Sequence, residues 1–537
     1  MTDAIVLGLD GATWDVLDPL IEAGRLPNLA RLRREGYDGV LESTFPPITA
    51  PAWLSMATGQ NPGKTGVFYF QNRTDPDSFS FEMLGSDEFE GRSFWDVIDA
   101  RGRSVGVFNF PMLYPPYALD NGFQVSGLGA PEDDSITAPA ELRAELDEVT
   151  DGYTVKVPYA DPKYSGRPDA LLTDLHEALR TRSAAIEHLL TDRRPSVFFG
   201  VVSVTDWAQH YFWRYYDETH ALYDPEVARD HGDALGELWE RVDETVGMVA
   251  DVAEREGAVL FVVSDHGFGP VNETFHSNTW LEATGFQAAG DRSLLTELRT
   301  TYFQHLRRVG EPIAAAVPQL NDLITAIGRR IRGSPEDTID MEDSLVFAPR
   351  QNFTCGMLFM LSDDPADEQA VVDALESLTR EDGQPVDPTV YRAEDLYHGD
   401  RLDVAPDVLF EIDGFECGVD PRPRADDAVF TTGPPSVARS GGHRRDGIYV
   451  VAGEGVEPGS GGRRSLLDVA PTLLYALDTP IPEVMDGEAL TDAFTPEFRA
   501  NRTLRRAPLA DLVTVEAAGG RGDTEAMQDR LEDLGYI

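Results

Sequence analysis

The chain has 537 residues, and 94 Asp plus Glu against 45 Lys plus Arg give a net charge of −49. Forty-two per cent of it is hydrophobic, enough for a large core, which excludes a wholly disordered chain. So acidic a composition excludes a sequence-independent DNA or RNA binder, which needs basic residues against phosphates, and it disfavours anionic membrane surfaces in the same way.

Only three lysines occur, Lys64, Lys156 and Lys163, so nearly every cation is arginine. The acids are spread along the whole chain. Such charge repels itself at ordinary ionic strength but is screened at molar salt, where the Debye length is about 3 Å. A halophilic cytoplasm is the expected setting. The two cysteines, Cys355 and Cys417, sit in no CxxC and near no histidine cluster, which excludes a disulfide framework and a Cys-rich zinc site. The N-terminus has neither a basic leader region nor a long apolar run, and no segment reads as a membrane span, so a soluble cytoplasmic protein is expected.

Residues 4–9 form a short apolar run that reads as a strand. Helical patterns follow at 14–22 and 26–34, a strand at 40–43, a helix at 51–58 and a strand at 104–110. The spacing of Leu, Ala and Ile predicts a helix over 170–190, an uncharged strand over 196–204 and a helix at 207–216. A single long helix is expected over 227–254 and a buried strand at 258–263. Near-continuous apolar strands alternating with helices imply a parallel sheet covered on both faces. The pattern changes after 285. Residues 290–343 read as mostly helical, ending in a turn-rich stretch at 333–340, with a strand at 357–361 and a helix near 367–378. Short apolar runs return at 408–410 and 448–451, residues 459–462 read as a glycine-rich turn, and 468–477 as a helix. The expected organisation is a core in two parts (1–285 and 401–495), an inserted cap at 286–400, and a polar, partly helical tail at 496–537.

Three predicted strands end in the same way: Asp10, Asp206 and Asp265 each follow an apolar run. In a parallel sheet the carboxyl ends of the strands lie on one edge, where ligands bind. Three carboxylates gathered there repel each other unless cations are bound. Taken singly, each has an ordinary use: Asp10 with Gly11 as a turn, Asp206 as a helix N-cap, Asp265 as part of a loop. The histidines shift the balance. His266 follows Asp265 directly, His210 lies four residues after Asp206 on the same helix face, and His443 sits in a glycine-rich turn before the 448–451 strand. Paired Asp and His at strand ends supply the oxygen and nitrogen donors that zinc or manganese takes. Thr49 falls at or just before the start of the helix that Pro51 opens, where free N–H groups favour an alkoxide or a phosphate oxygen; an N-cap is the alternative use.

Together these pieces resemble the alkaline phosphatase superfamily, and within it the type I phosphodiesterase/nucleotide pyrophosphatase family. The match is carried in order by Gly8-Leu9-Asp10-Gly11, Thr49-Ala50-Pro51-Ala52-Trp53, the run from Ala57 to Gly63, Asp206 with His210, Ser264-Asp265-His266-Gly267, and Gly442-His443. Asp468 to Thr472, with Asp486-Gly487, resembles a structural element of the same superfamily. The resemblance implies a three-layer α/β/α sandwich around a mostly parallel sheet. It implies two divalent metal ions, most often zinc and in some branches manganese. Asp10, Thr49, Asp265 and His266 would hold one, and Asp206, His210 and His443 the other. Thr49 would be the nucleophile, transiently phosphorylated, and the substrate a small phosphorylated molecule. Thr49-Ala50-Pro51 lacks the Cys or Ser of sulfatases, and a threonine favours the diesterase branch, though phosphonoacetate hydrolases use one too. Two positions depart from the nucleotide pyrophosphatase pattern: Trp53 stands in place of a histidine, and Phe70, beside Gln71 and Asn72, in place of an asparagine that contacts phosphate. Phosphomonoesterase, phosphonate hydrolase, phosphoryl transferase and non-catalytic scaffold therefore remain alternatives.

Overall fold

The structure is a computed structural model that describes residues 2–76, 78–132, 134–290, 339–349, 354–424, 426–513 and 531. Most of the helical stretch expected at 290–343, and most of the tail beyond 513, lie outside the described residues.

Nine strands build the main sheet. Numbered along the chain they are β1 (Ala4–Leu9), β2 (Tyr37–Glu42), β3 (Val105–Phe110), β4 (Gly122–Ser126), β5 (Thr137–Ala138), β6 (Val197–Val202), β7 (Val259–Val263), β8 (Asp446–Ala452) and β9 (Gly459–Ser465). Their order across the sheet is β9-β2-β8-β7-β1-β6-β3-β4-β5. The centre is parallel: β1 pairs with β6 and β7, and β3 with β6 and β4. The antiparallel pairs β2–β8, β7–β8 and β4–β5 lie to either side. Every residue of β1, β3, β6 and β7 is buried, as expected of apolar strands covered on both faces.

Two groups of helices supply the outer layers. Pro27–Glu35, Pro168–His188, Val204–Tyr216 and Ala234–Glu256 pack against one another, and Thr49–Thr58 packs with Phe94–Asp99 and Val469–Ala476. Helix Ala234–Glu256 buries Leu235, Leu238, Trp239, Val242, Val246, Val249 and Ala253, a stripe at helical spacing. Its one buried acid, Asp243, accepts from the Asn28 and Leu29 backbone N–H groups at 2.9 and 2.7 Å. It thereby caps helix Pro27–Glu35, which has no side-chain cap of its own. The expected α/β class with a mostly parallel central sheet is what the structure has.

After β7 the chain runs through a short strand, Gly267–Pro270, into a second sheet, and returns through Gly441–Arg444 to β8. The outgoing and returning strands pair antiparallel, His443 opposite Phe268. The second sheet runs Val346–Phe347, Gly356–Met360, Val408–Ile412, Cys417–Asp420, Glu273–His276, Phe430–Thr432, with Pro388–Arg392 paired to Val408–Ile412. It has its own apolar cluster, including Phe275, Leu358, Val371, Leu375, Phe410 and Val419. It draws strands from both sides of 286–400.

Three local expectations are corrected. Residues 459–462 are not a turn but the start of edge strand β9, parallel to β2. The glycines permit it, because a Cβ at Gly461 would lie 2.1 Å from the Tyr449 hydroxyl. The helix expected over 227–254 is two, Pro225–His231 and Ala234–Glu256, broken at Gly232 and Asp233. His443 lies on a strand, not in a turn. Both cysteines are free and buried. Among the described residues, no helix is long and apolar enough to cross a membrane.

Candidate metal centre

The register of the central strands decides where the acids fall. Leu9 pairs with Val202, and Gly8 with Val263, so the residues that follow emerge on one edge. Asp10 is the first residue beyond β1. Gly11 then turns with φ +69°, and its N–H donates to Asp265 Oδ1 at 3.2 Å. A side chain at Gly11 would meet the Phe268 ring at 2.8 Å, so the turn needs glycine in both respects. Thr205 Oγ1 donates to the Asp10 carbonyl at 2.6 Å, and Gln209 Nε2 to that of Gly11 at 2.8 Å, tying the β1 turn to helix Val204–Tyr216. Ser203 precedes that helix, so Asp206 is inside its first turn and is not the N-cap. Its carboxylate and the His210 ring share a face, with Asp206 Oδ1 3.4 Å from His210 Nε2. His443 arrives on the returning strand. Gly441 in that strand comes so near the helix that a Cβ would lie 2.5 Å from the Gln209 carbonyl.

Two trios result, all six residues buried. Asp10, Asp265 and His266 form one, and Asp206, His210 and His443 the other; within each, one donor atom per residue lies within 4.8 Å of the others. They adjoin: His266 Nε2 is 3.2 Å from Asp265 Oδ2, 3.7 Å from Asp10 Oδ1 and 4.0 Å from Asp206 Oδ1. His443 Nε2 is 3.2 Å from Asp206 Oδ1. Thr49 is the first residue of helix Thr49–Thr58 after Ile48 at the cap, so it is not itself the N-cap, and its Oγ1 is 3.4 Å from His266 Nε2.

The three imidazoles are prepared alike. Nδ1 of His210 donates to the Gly441 carbonyl at 2.8 Å, that of His443 to Pro47 at 2.9 Å and that of His266 to Gly267 at 3.1 Å. A carbonyl only accepts, so each Nδ1 carries the proton and each Nε2 presents a lone pair to the acids. Burial keeps His210 and His266 well below the usual imidazole range and pulls His443 down to about 3, so all three are neutral at pH 7. Two Nε2 lone pairs, of His210 and His443, then face each other at 3.1 Å. Burial, with the Asp265 and Asp206 carboxylates adding to it, holds the Asp10 carboxyl well above its ordinary range. Burial does the same to Asp265, the Gly11 N–H opposing and Asp206 reinforcing it. Among the described residues, Asp10 Oδ1 and Asp265 Oδ2 make no hydrogen bond. Buried carboxylates and opposed lone pairs are costly alone and complementary to divalent cations, so the donor set fits two such ions. Carbonyl-anchored imidazoles are the outer support that metal-binding histidines use.

The surroundings include residues that sequence reasoning missed. The Tyr159 ring stacks on His210, centroids 5.3 Å apart and planes 14° apart, and the Phe268 ring lies 4.8 Å from the same imidazole. The charge of buried Arg439 is felt at both His210 and His443. Its place four residues before His443 was a usable signal; Tyr159 had none in the sequence. The departures from the family pattern also resolve. Trp53 packs edge-on against Phe110 and Phe199 and covers Gly8, where a Cβ would meet the indole at 2.5 Å. Phe70 is fully buried. The Asn72 side chain accepts from the Phe68 and Tyr69 N–H groups and donates to the Tyr69 carbonyl, so its amide shapes a turn. Gln71 is half-buried. The remaining motif residues brace the helix behind Thr49: Asp486 accepts from Asn61 and Lys64, and Asp468 from the Glu488 N–H.

Sheet order and covered strands define an alkaline-phosphatase-like α/β fold. Two solved structures of phosphonoacetate hydrolase from Sinorhizobium meliloti 1021 share it, in complex with phosphonoformate (15% identity) and with phosphonoacetate (14% identity). Each has a TM-score of 0.53 and covers 89% of this chain and 95% of the other. The chain belongs to the type I phosphodiesterase/nucleotide pyrophosphatase family, whose sequence profile matches residues 4–343. Six of the seven candidate site residues fall inside that stretch, and the fold brings in His443 from beyond it. No curated protein sequence matches the chain significantly.

Proposed function

We propose that the protein is a metal-dependent hydrolase of phosphodiester or pyrophosphate bonds in a small substrate, with Thr49 as the nucleophile. The observation that carries this is the threonine hydroxyl at a helix start, 3.4 Å from His266 of one trio, whose Nε2 is in turn 4.0 Å from Asp206 of the other. Asp10, Thr49, Asp265 and His266 would hold one ion, and Asp206, His210 and His443 the other. Zinc suits these nitrogen and oxygen donors and manganese is the second choice. Bound ions would supply positive charge for the phosphoryl oxygens and lower the pKa of a coordinated hydroxyl.

The chain's own residues do the rest. Each histidine keeps its proton on Nδ1 through a carbonyl, which leaves Nε2 free of a proton throughout. The start of helix Thr49–Thr58 directs backbone N–H groups toward the anion. Thr49 Oγ1 attacks phosphorus as its proton passes to solvent or to the leaving oxygen, the bond to that oxygen breaks, and Thr49 carries the phosphoryl group with the substrate's remaining substituent still attached. Water then cleaves that ester, releasing phosphate or a phosphomonoester and restoring the hydroxyl. The burial of all six acids and histidines keeps bulk water from screening these charges.

The net charge of −49 is read as adaptation to a salt-rich cytoplasm. The test of the activity is a paired assay of wild type and Thr49→Ala in high KCl, with zinc or manganese, on bis-p-nitrophenyl phosphate and p-nitrophenyl phosphate. Faster turnover of the diester, lost in Thr49→Ala, is expected; a monoester preference moves the reading to a phosphatase. A phosphonate is the second reading, because two solved structures that share the fold are of a phosphonoacetate hydrolase.

A further inference from the structure

The three imidazoles of the site are not supported equally. His266 and His443 stack on each other, centroids 3.7 Å apart and planes 18° apart, so each is a wall for the other. His210 is tilted 36° to His443 and takes its parallel wall from Tyr159 instead. The hydrogen bond from His210 Nδ1 to the Gly441 carbonyl sets the ring's direction but leaves it free to tilt out of plane. A flat ring stacked on its face removes that freedom.

Tyr159 belongs to a segment, 153–164, that is fastened at several points. The Tyr153 hydroxyl donates to Asn109 Oδ1 at 3.1 Å, and the Val155 and Lys156 N–H groups donate to the Glu132 carboxylate at 3.0 Å each. The Tyr211 hydroxyl donates to the Tyr164 carbonyl at 3.1 Å. The costliest fastener is Arg182, fully buried in helix Pro168–His188. Its guanidinium donates to the Val155 carbonyl at 2.6 Å and lies 4.9 Å from the ring centre of Trp207, the residue after Asp206. A buried cation spent on the Val155 carbonyl, the Ala178 carbonyl of its own helix and an indole face is expensive unless the position of that segment matters.

We propose that Tyr159 is a positioning residue for His210: the 153–164 segment, fastened by Arg182, presses the Tyr159 ring onto the imidazole and so sets the affinity of the Asp206–His210–His443 trio for its ion. This rests on the reading of that trio as a metal site, so the experiment separates the two. Metal-stripped protein is titrated with zinc alone, without substrate. Tyr159→Phe keeps the ring and is expected to bind two ions as wild type does. Tyr159→Leu is expected to weaken one site about 10- to 100-fold and leave the other unchanged. Equal affinity of Tyr159→Leu and wild type at both sites, or equal weakening of both, overturns the proposal. A second measurement needs neither a variant nor a metal. In histidine-labelled wild-type apoprotein, the His210 ring protons are expected upfield of their ordinary position through the Tyr159 ring current, and an unshifted resonance overturns the proposal. If wild type takes up no zinc while the shift is present, the metal reading fails and the stack stands.

Discussion

The two trios are built from different materials. Asp10, Asp265 and His266 come from the ends of β1 and β7, neighbours whose pairing continues to Gly8 and Val263. The main sheet therefore sets their spacing directly. Asp206 and His210 sit on a helix, and His443 on a strand that returns only after the second sheet. Their geometry depends on a helix, a strand pair and the overlying Tyr159. One trio inherits its rigidity from the sheet and the other is assembled, so damage at a distance should reach the second trio first.

The largest expected effect does not discriminate between them. Thr49→Ala removes the proposed nucleophile and should lower diester turnover by at least about 10³-fold while two ions stay bound, as measured by steady-state rate and metal content. The comparison is sharpened by ligand variants on either side. Asp265→Asn should lose the ion of the sheet-built trio, and His443→Ala that of the assembled trio, each leaving the other site filled. Metal-to-protein ratios by elemental analysis check this, and loss of both ions from either variant would break the division into two sites. Smaller, and common to both trios, is the effect of salt. Turnover should rise several-fold from dilute buffer to molar KCl, because screening relieves both self-repulsion and repulsion of an anionic substrate. A rate profile against KCl that peaks in dilute buffer would contradict the halophilic reading.

The smallest effect on function concerns a group outside both trios. Asp96 is buried at the start of helix Phe94–Asp99, accepting from the Ser93 N–H and the Tyr117 hydroxyl, and burial pushes its carboxyl up to about 7. A raised carboxyl favours the folded state fully below the unfolded pKa of about 4, and that contribution is lost as pH rises toward 7. Stability should therefore fall by up to about 4 kcal/mol over this window. Asp96→Asn should flatten the fall, as read by urea unfolding at several pH values, without changing metal content.

What the sequence disclosed follows the same division. Asp10, Asp206 and Asp265 were legible because each ends an apolar run, and a parallel sheet turns that repetition into proximity. Thr49 was legible because Pro51 marks a helix start. The strand carrying His443 reads locally as a turn, because its partner, Gly267–Pro270, lies far away in sequence and nothing local predicts the pairing. Likewise Gly459–Ser465 reads as a turn until Tyr37 and Tyr449 are seen to need its glycines. The sharing of the second sheet between residues before 286 and after 400 was invisible for the same reason. Tyr159 was missed altogether, since stacking on a histidine leaves no pattern in a chain where aromatic residues are ordinarily core.

The central claim is that Thr49 carries the phosphoryl group between two metal-binding trios. Its most direct test is to mix the zinc-loaded protein with bis-p-nitrophenyl phosphate, quench in acid within the first turnover, and map the phosphorylated peptides by mass spectrometry. The account predicts a p-nitrophenyl phosphoryl group on Thr49 of wild type and on no residue of Thr49→Ala. Full turnover with Thr49 unmodified at every quench time would contradict it and would assign the attack to water.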